Sequence, residues 1–386
     1  MPKINLKENK SFCLMPFVHL HIRENNDMRI CCNATMDHFK KFDANFNFET
    51  DEDLKEIRSK MLNGEPVKFC KTCYDLEDKG AQSFRLKDTK EWQMKLNVRN
   101  YEDVKTNLVY YDIRNDNICN LSCRMCLPNF SSQLQKEYKV LGWAYDDIDL
   151  KNVGFNQIVD LETVKKIQVA GGEPSIMPDV KLFLKKAIDA GRNDLEVRII
   201  SNVTNINKEY ASLLKEFNNL YIIASIDGFE KLNYYIRWPS DWDTIVSNLK
   251  SLSLITNNLS FNVAVSIWNI SKLSDLIKFL EKEFPTNKIS LSKVPQDHQC
   301  YTLFPNKEIV LGDLNEIKQL NSYKCDANFR SMIDFIEKET LESEVDIGAL
   351  EKFFNYNDAL DKNRNIFLKD YIPELEECRK LITKQI

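Results

Sequence analysis

NLVYYDIRNDNICNLSCRMC (107–126) places a β-forming run directly before three cysteines, Cys119, Cys123 and Cys126. The run NLVYYDI (107–113) is short and rich in aromatic and branched residues. The Asn and Asp residues of RNDN close it, so it reads as a strand followed by a loop. The cysteines fall in that loop, at the strand's C-terminal end. Their C-x3-C-x2-C spacing is unusual for a zinc knuckle. Three thiolates so placed suit three irons of a cubane and leave a fourth iron without a protein ligand nearby in sequence.

Five further apolar runs follow: KIQVA (166–170), EVRIIS (196–201), LYIIAS (220–225), FNVAVSI (261–267) and KISLSKV (288–294). Helical patterns separate them near 130–140, 178–190, 207–217, 240–255 and 271–283. This alternation argues for a parallel sheet curled into a full or partial barrel, with reactive groups at the C-terminal strand ends. A chain of 386 residues, 43% hydrophobic and 11% aromatic, has the material for such a core. The first hundred residues read differently. FVHLHI (17–22) and DMRICC (27–32) form an expected hairpin around ENN, and EDLKEIRSKML (52–62) an expected helix stopped by Asn63-Gly64. A second helical segment runs to about Lys95. The end of the chain reads as helices, among them RSMIDFIEK and LEKFFNYNDAL. Three regions are expected: a cysteine-rich module at 1–105, an α/β barrel at 106–295 and a mostly helical segment at 296–386.

A net charge of −5 gives no footprint for bulk nucleic-acid binding, so nucleic acid is not an expected partner. MPKINLKENKSFC carries no apolar core or small-residue cleavage site, and no apolar run has the length of a membrane span. The expectation is therefore a cytoplasmic chain with no membrane contact. Eleven cysteines there favour metal or redox roles over disulfides. They cluster as Cys13, Cys31–Cys32, Cys70/Cys73 and Cys119/Cys123/Cys126, with Cys300, Cys325 and Cys378 scattered later.

The three-cysteine motif, with the bulky Met125 before its last cysteine, resembles that of the radical S-adenosylmethionine (SAM) superfamily. The next strand end carries AGGEP, where Gly171, Gly172, Glu173 and Pro174 match that family's GGE(P) motif without gaps. The resemblance implies a partial (β/α)6 barrel, a [4Fe–4S] cluster on Cys119, Cys123 and Cys126, and SAM bound at the open iron. Reductive cleavage would yield a 5′-deoxyadenosyl radical, the cofactor supplying the hard chemistry and the protein its placement. It also implies that Gly171–Pro174 meet the SAM amino group, and that Ser201 and Asn202 of IISNVTN face its ribose or carboxylate. Ser225 and Asp227 match the family's S-x-D-G segment, Arg237 of YIRWPSDW an arginine often paired with the SAM carboxylate, and Ser266 and Asn269 the place of adenine contacts.

The leading cysteines resemble the auxiliary-cluster module of twitch and SPASM radical SAM proteins. There a cysteine, a hairpin with a cysteine on its second strand, and a later C-x2-C surround another [4Fe–4S] cluster. Cys13, either Cys31 or Cys32, Cys70 and Cys73 match that order, although in those families the module usually follows the barrel. A four-thiolate zinc site is the alternative for these residues.

The resemblance implies an enzyme that takes an electron from a flavodoxin or ferredoxin and abstracts hydrogen from its substrate. Oxidative modification of a peptide is the first reading, and dehydrogenation of a small molecule of the amino-sugar or cyclitol type the alternative. A non-catalytic zinc- or cluster-binding adaptor is the reading from another class. His19 and His21 share a strand face that reads as solvated. His298 and Cys300 read as loop positions, Cys325 and Cys378 as packing residues, and ETDEDLKE (49–56) as a solvated helix start.

Overall fold

Strand and helix alternate where the apolar runs alternate. The computed structural model describes residues 3–35, 40–43, 45–78, 80, 82–114, 116–145, 154–294 and 296–380. Its strands are β1 (His19–Ile22), β2 (Asp27–Arg29), β3 (Lys40–Lys41), β4 (Tyr110–Ile113), β5 (Lys166–Val169), β6 (Glu196–Ser201), β7 (Asn219–Ser225), β8 (Leu259–Val265) and β9 (Lys288–Lys293). The six expected barrel runs are β4 to β9, and the expected intervening helices are Ser132–Leu141, Pro178–Asp189, Lys208–Lys215, Trp242–Ser253 and Leu273–Glu283. The fold is thus α/β, with parallel strands joined by helices. The buried residues of Pro178–Asp189 are Val180, Phe183, Leu184 and Ala187, one stripe at helical spacing.

The chain forms two units: Met1–Asn117 with Asp147–Ile199 and Leu213–Leu220, and Ile118–Asp146 with Ile200–Ser212 and Tyr221–Ile386. In the first, β4, β5 and β6 pair in parallel, with Tyr110 opposite Lys166 and Lys166 opposite Glu196. β1 pairs in parallel with β4 and antiparallel with β2, which pairs antiparallel with β3. The expected hairpin is therefore present and extends this sheet. It is shorter than its apolar runs, because Met15–Val18 is a helical turn with Pro16 in its first turn, and Ile30–Cys32 lie beyond β2. In the second unit β7, β8 and β9 pair in parallel, and alternate residues of β8 are buried. Its C-terminal part is helical: Lys307–Ile317, Ala327–Glu342 and Ile347–Arg364. No described helix is long and apolar enough to cross a membrane.

One face of the first unit's sheet is polar yet largely buried, with Glu196 and Arg198 at its edge only partly so. Across β1, β4, β5 and β6 it carries His19, Tyr110, Lys166 and Glu196 in one row, and His21, Asp112, Gln168 and Arg198 in the next. The Phe84–Leu96 helix lies against the first row. Its Trp92 stacks on Tyr110 with ring centroids 5.7 Å apart, and its Glu91 pairs with Lys166 at 3.3 Å. His19 and His21 are accordingly buried, not solvated, because β1 is an inner strand between β2 and β4. Asp112 accepts from Gln168 Nε2 at 2.9 Å and from Arg114 at 3.2 and 3.3 Å, and faces His21 Nδ1 at 3.2 Å. The Arg114 guanidinium foremost, with His21 beside it, holds the Asp112 carboxyl well below the usual range, against the cost of burial.

Burial depresses the pKa of His19 from 6.5 to about 3, so the folded protein keeps the ring neutral where the unfolded chain would protonate it. The stability this carries is complete above pH 6.5 and is lost as pH falls towards 3. Denaturant unfolding between pH 7 and pH 4 should show a decline approaching about 1.4 kcal/mol per pH unit for each such histidine, and His19→Phe should make the slope shallower.

Candidate functional site

In the second unit the cysteine loop is shaped by the helix that follows it. Ser131 caps Ser132–Leu141, accepting from Leu134 N at 3.1 Å while donating to the Leu121 carbonyl at 2.6 Å. Cys119 N donates to Ser132 Oγ at 3.2 Å. Cys119, Leu121 and Cys123 are buried together, with Met125 and Cys126 packed against them. N–H donors point at two of the sulfurs. Leu121 N stands 3.5 Å and Asn202 Nδ2 4.0 Å from Cys119 Sγ, and Arg237 Nη1 is 3.9 Å from Cys123 Sγ. Burial raises the thiol pKa values of Cys123 and Cys126, and Arg237 opposes it at both. A metal taken up here would displace protons. Three soft donors on one loop, with N–H groups aimed at their sulfurs, fit an iron–sulfur cluster.

The strand-end residues gather around the same loop. Asn202 donates to Asn120 Oδ1 at 3.1 Å and accepts from Thr204 N at 3.0 Å, while Asn120 donates to Thr204 Oγ1 at 2.8 Å. This ladder ties the segment after β6 to Cys119. Ser201 Oγ accepts from Val203 N at 2.9 Å. Val203 has a φ of +53°, a strained conformation for a β-branched residue, of the kind concentrated at functional sites. Ser225 ends β7, and Asp227 just beyond is fully buried. Asp227 accepts from Ala264 N at 2.6 Å and pairs with Arg237 Nε at 2.5 Å. Asn269 accepts from Ser266 N at 2.8 Å and donates to the carbonyls of Asp227 and Ala264, each at 2.9 Å. Both ends of its carboxamide thus hold the loop.

Residues with no recognisable sequence motif complete this site. Arg124, between Cys123 and Cys126, is fully buried, with its guanidinium carbon 3.6 Å from the Tyr235 ring centroid. It donates to the Tyr235 carbonyl at 2.8 Å, Asn357 Oδ1 at 2.9 Å and Asp361 Oδ1 at 2.6 Å. From the same helix, Arg364 donates to the Ser122 carbonyl at 2.8 Å and pairs with Glu137 at 2.6 Å. Asn357, Asp361 and Arg364 stand four and three apart, on one helix face. That spacing, with an arginine inside the cysteine motif, was the available signal.

In the first unit, AGGEP lies against the segment leading to the cysteine loop. Gly171 has a φ of +106°, and a Cβ there would stand 2.7 Å from the Asp116 carbonyl oxygen, so glycine is required twice over. Gly172 N donates to the same oxygen at 3.0 Å. Glu173, buried, accepts from Ser175 N at 3.0 Å and caps the turn that Pro174 opens. The N-terminal candidate thiols influence one another electrostatically. Cys13 is influenced by Cys70 and Cys73, and Cys31 by Cys32 first and then by Cys13 and Cys70. Cys32 instead faces Asp112, Arg114 and Asp88, and its pKa is pushed up to about 12, chiefly by burial. Among the described residues, no three His, Cys, Asp or Glu side chains converge on a point that a single ion would fill. Cys325 is exposed, and the half-buried Cys378 donates to the Glu374 carbonyl at 3.2 Å. The half-buried His298 ring lies edge-on to Tyr356 at 5.4 Å.

Residues 117–280 match the family model described as the radical SAM superfamily. A 7,8-dihydro-6-hydroxymethylpterin dimethyltransferase of Methanocaldococcus jannaschii is 31% identical over 135 residues, 34% of this chain and 25% of that protein. A GTP 3′,8-cyclase of Campylobacter jejuni subsp. doylei is 23% identical over 229 residues, 56% of this chain and 69% of the relative. Among solved structures, anSMEcpe with bound AdoMet is 15% identical, with 57% of this chain and 60% of that one covered and a TM-score of 0.44. The chain thus spans a quarter of the first relative and about two thirds of the second. The family match covers less than half of this chain, on the segment that begins just before Cys119.

Two substitutions test this account of the site. Asp361→Leu leaves the Arg124 cation buried without its carboxylate and should destabilise by about 3–5 kcal/mol in urea unfolding, whereas adding Arg124→Met should recover most of the loss. Gly171→Ala should weaken folding by more than about 1 kcal/mol, since the new methyl meets backbone that cannot yield.

Proposed function

We propose that this protein is a radical SAM enzyme that reductively cleaves SAM and abstracts a hydrogen atom from its substrate. The observation that carries the reading is the cysteine loop itself: three grouped thiols, two with N–H donors at their sulfurs, within the segment that matches the superfamily. Cys119, Cys123 and Cys126 would hold a [4Fe–4S] cluster. When bound, that cluster supplies the electron that breaks a carbon–sulfur bond of SAM. The chain's own groups then bind and orient. The backbone of Gly171–Pro174 and the side chain of Glu173 would meet the SAM amino group. Ser201, Asn202 and Ser225 would serve its ribose and carboxylate side, and Ser266 and Asn269 its adenine side. Arg237 would meet the carboxylate with donors left over from Asp227 and Cys123.

Cys13, Cys31, Cys70 and Cys73 are the ligand set we propose for an auxiliary cluster, since Cys13 and Cys70 are among the groups that act most on Cys31, whereas Asp112, Arg114 and Asp88 act most on Cys32. A fully ligated second cluster suits electron transfer from a substrate radical, hence a net oxidation. A flavodoxin or ferredoxin would reduce the first. Oxidative modification of a peptide remains one substrate reading. A compact polar molecule is the second, favoured by the charged face of β1 and β4–β6, where Arg114 stays 30% accessible beside the buried Asp112. Two of the relatives, a pterin dimethyltransferase and a GTP cyclase, point the same way.

Anaerobic reconstitution followed by iron and sulfide analysis and product assay tests the reading. We expect about two cubanes per chain and 5′-deoxyadenosine under strong reductant. Alanine at Cys119, Cys123 or Cys126 should abolish cleavage. Cys31→Ser should lose about four irons while Cys32→Ser keeps them. Stoichiometric zinc without SAM turnover would establish the adaptor reading instead.

A further inference from the structure

The backbone on both sides of Cys123 is held at every polar atom. Ser122 N donates to the Trp238 carbonyl at 2.6 Å, and Arg124 N to the Ile236 carbonyl at 2.8 Å. The Ser122 carbonyl accepts from Arg364 at 2.8 Å. The Arg124 carbonyl accepts from Tyr356 Oη at 2.8 Å and from Gln299 Nε2 at 3.4 Å. Arg364 and Tyr356 both belong to the Ile347–Arg364 helix, which also grips the Arg124 side chain through Asn357 and Asp361. The two amide bonds to Ile236 and Trp238 bracket Arg237. Its guanidinium is fixed from the far side by Asp227, itself held by Ala264 N, and its Nη1 reaches Cys123 Sγ at 3.9 Å.

We propose that the Ile347–Arg364 helix is part of the cluster site: it locks the loop around Cys123 against Ile236–Trp238, so that Arg237 donates to the Cys123 sulfur and raises the reduction potential of the cluster held there. The physical reason is the sign of the charge. A reduced cluster is one electron more negative, and a cation hydrogen-bonded to a ligating sulfur favours that state. The neutral Asn202 amide at Cys119 acts in the same sense without the charge. Arg124, Asn357, Asp361 and Tyr356 touch no cofactor in this account and are positioning residues. The inference rests on reading Cys119, Cys123 and Cys126 as cluster ligands. It concerns the potential alone, which is separable from SAM binding.

The test is a redox titration of the reconstituted holoprotein without SAM, followed by electron paramagnetic resonance and normalised to iron content. The signal belonging to this cluster is identified by its change when SAM is added to a parallel sample. Arg237→Gln should shift the midpoint to a more negative potential, and Arg237→Lys, which keeps the charge without the planar fork, should restore part of the shift. Asp361→Asn should move it in the same direction by less. If Asp361→Asn does not fold, Tyr356→Phe, which removes only the bond to the Arg124 carbonyl, carries the same expectation. An unchanged midpoint in Arg237→Gln at full iron content would overturn the role of Arg237. A helix variant that lowers thermal stability with its midpoint unmoved would reduce the helix to a structural support. Failure of the wild type to assemble a SAM-responsive cluster would count against the radical SAM reading instead.

Discussion

Between Cys123 and Cys126 the chain buries a guanidinium completely, where no water can solvate it. Such a charge needs an anion and hydrogen-bond acceptors in fixed places. Here they are Asp361, Asn357 and the Tyr235 carbonyl, with the Tyr235 ring beneath. Burial lowers the pKa of Arg124 and raises that of Asp361, so desolvation opposes both ionised forms despite their attraction. An apolar pair of the same volume would serve stability as well or better. What the ion pair adds is placement: one loop, one helix and one strand-end segment can meet in a single arrangement.

The six barrel strands were legible because each combines β-rich composition with short length, and Glu196–Ser201 agrees with its apolar run residue for residue. The helix Glu52–Leu62 was legible for the same local reasons, with Asp51 capping it by accepting from Leu54 N. The hairpin could be read, but not its neighbour. Nothing local to HLHI says that β1 will lie beside β4, which is why its two histidines seemed solvated and are buried. The strand-end polar residues are candidates through a family pattern alone. The Ile347–Arg364 face was missed because its meaning depends on contacts more than two hundred residues away, such as Arg124 with Asp361.

The adjacent pair Cys31–Cys32 shows the same limit at the smallest scale. Both follow β2, and local sequence does not separate them. The surroundings differ: besides its neighbour Cys32, Cys31 is influenced by Cys13 and Cys70, and Cys32 by Asp112 and Arg114. The polar rows of β1, β4, β5 and β6 likewise cannot be told from an exposed strand face by alternation alone. The cover comes from Trp92 and Glu91 on the Phe84–Leu96 helix.

The parallel pairing of β1 with β4 bears on how this protein can be divided. The family match begins at residue 117, after β4 has ended, and a fragment starting near 106 would keep β4 but lose β1. That strand would then present a row of open amides and carbonyls to solvent, an invitation to pair with another chain. Tyr110 and Asp112 would lose the neighbours His19 and His21 that cover them. For recombination or gene fusion, the modular boundary is therefore set by the sheet and lies well ahead of the stretch that sequence comparison marks out.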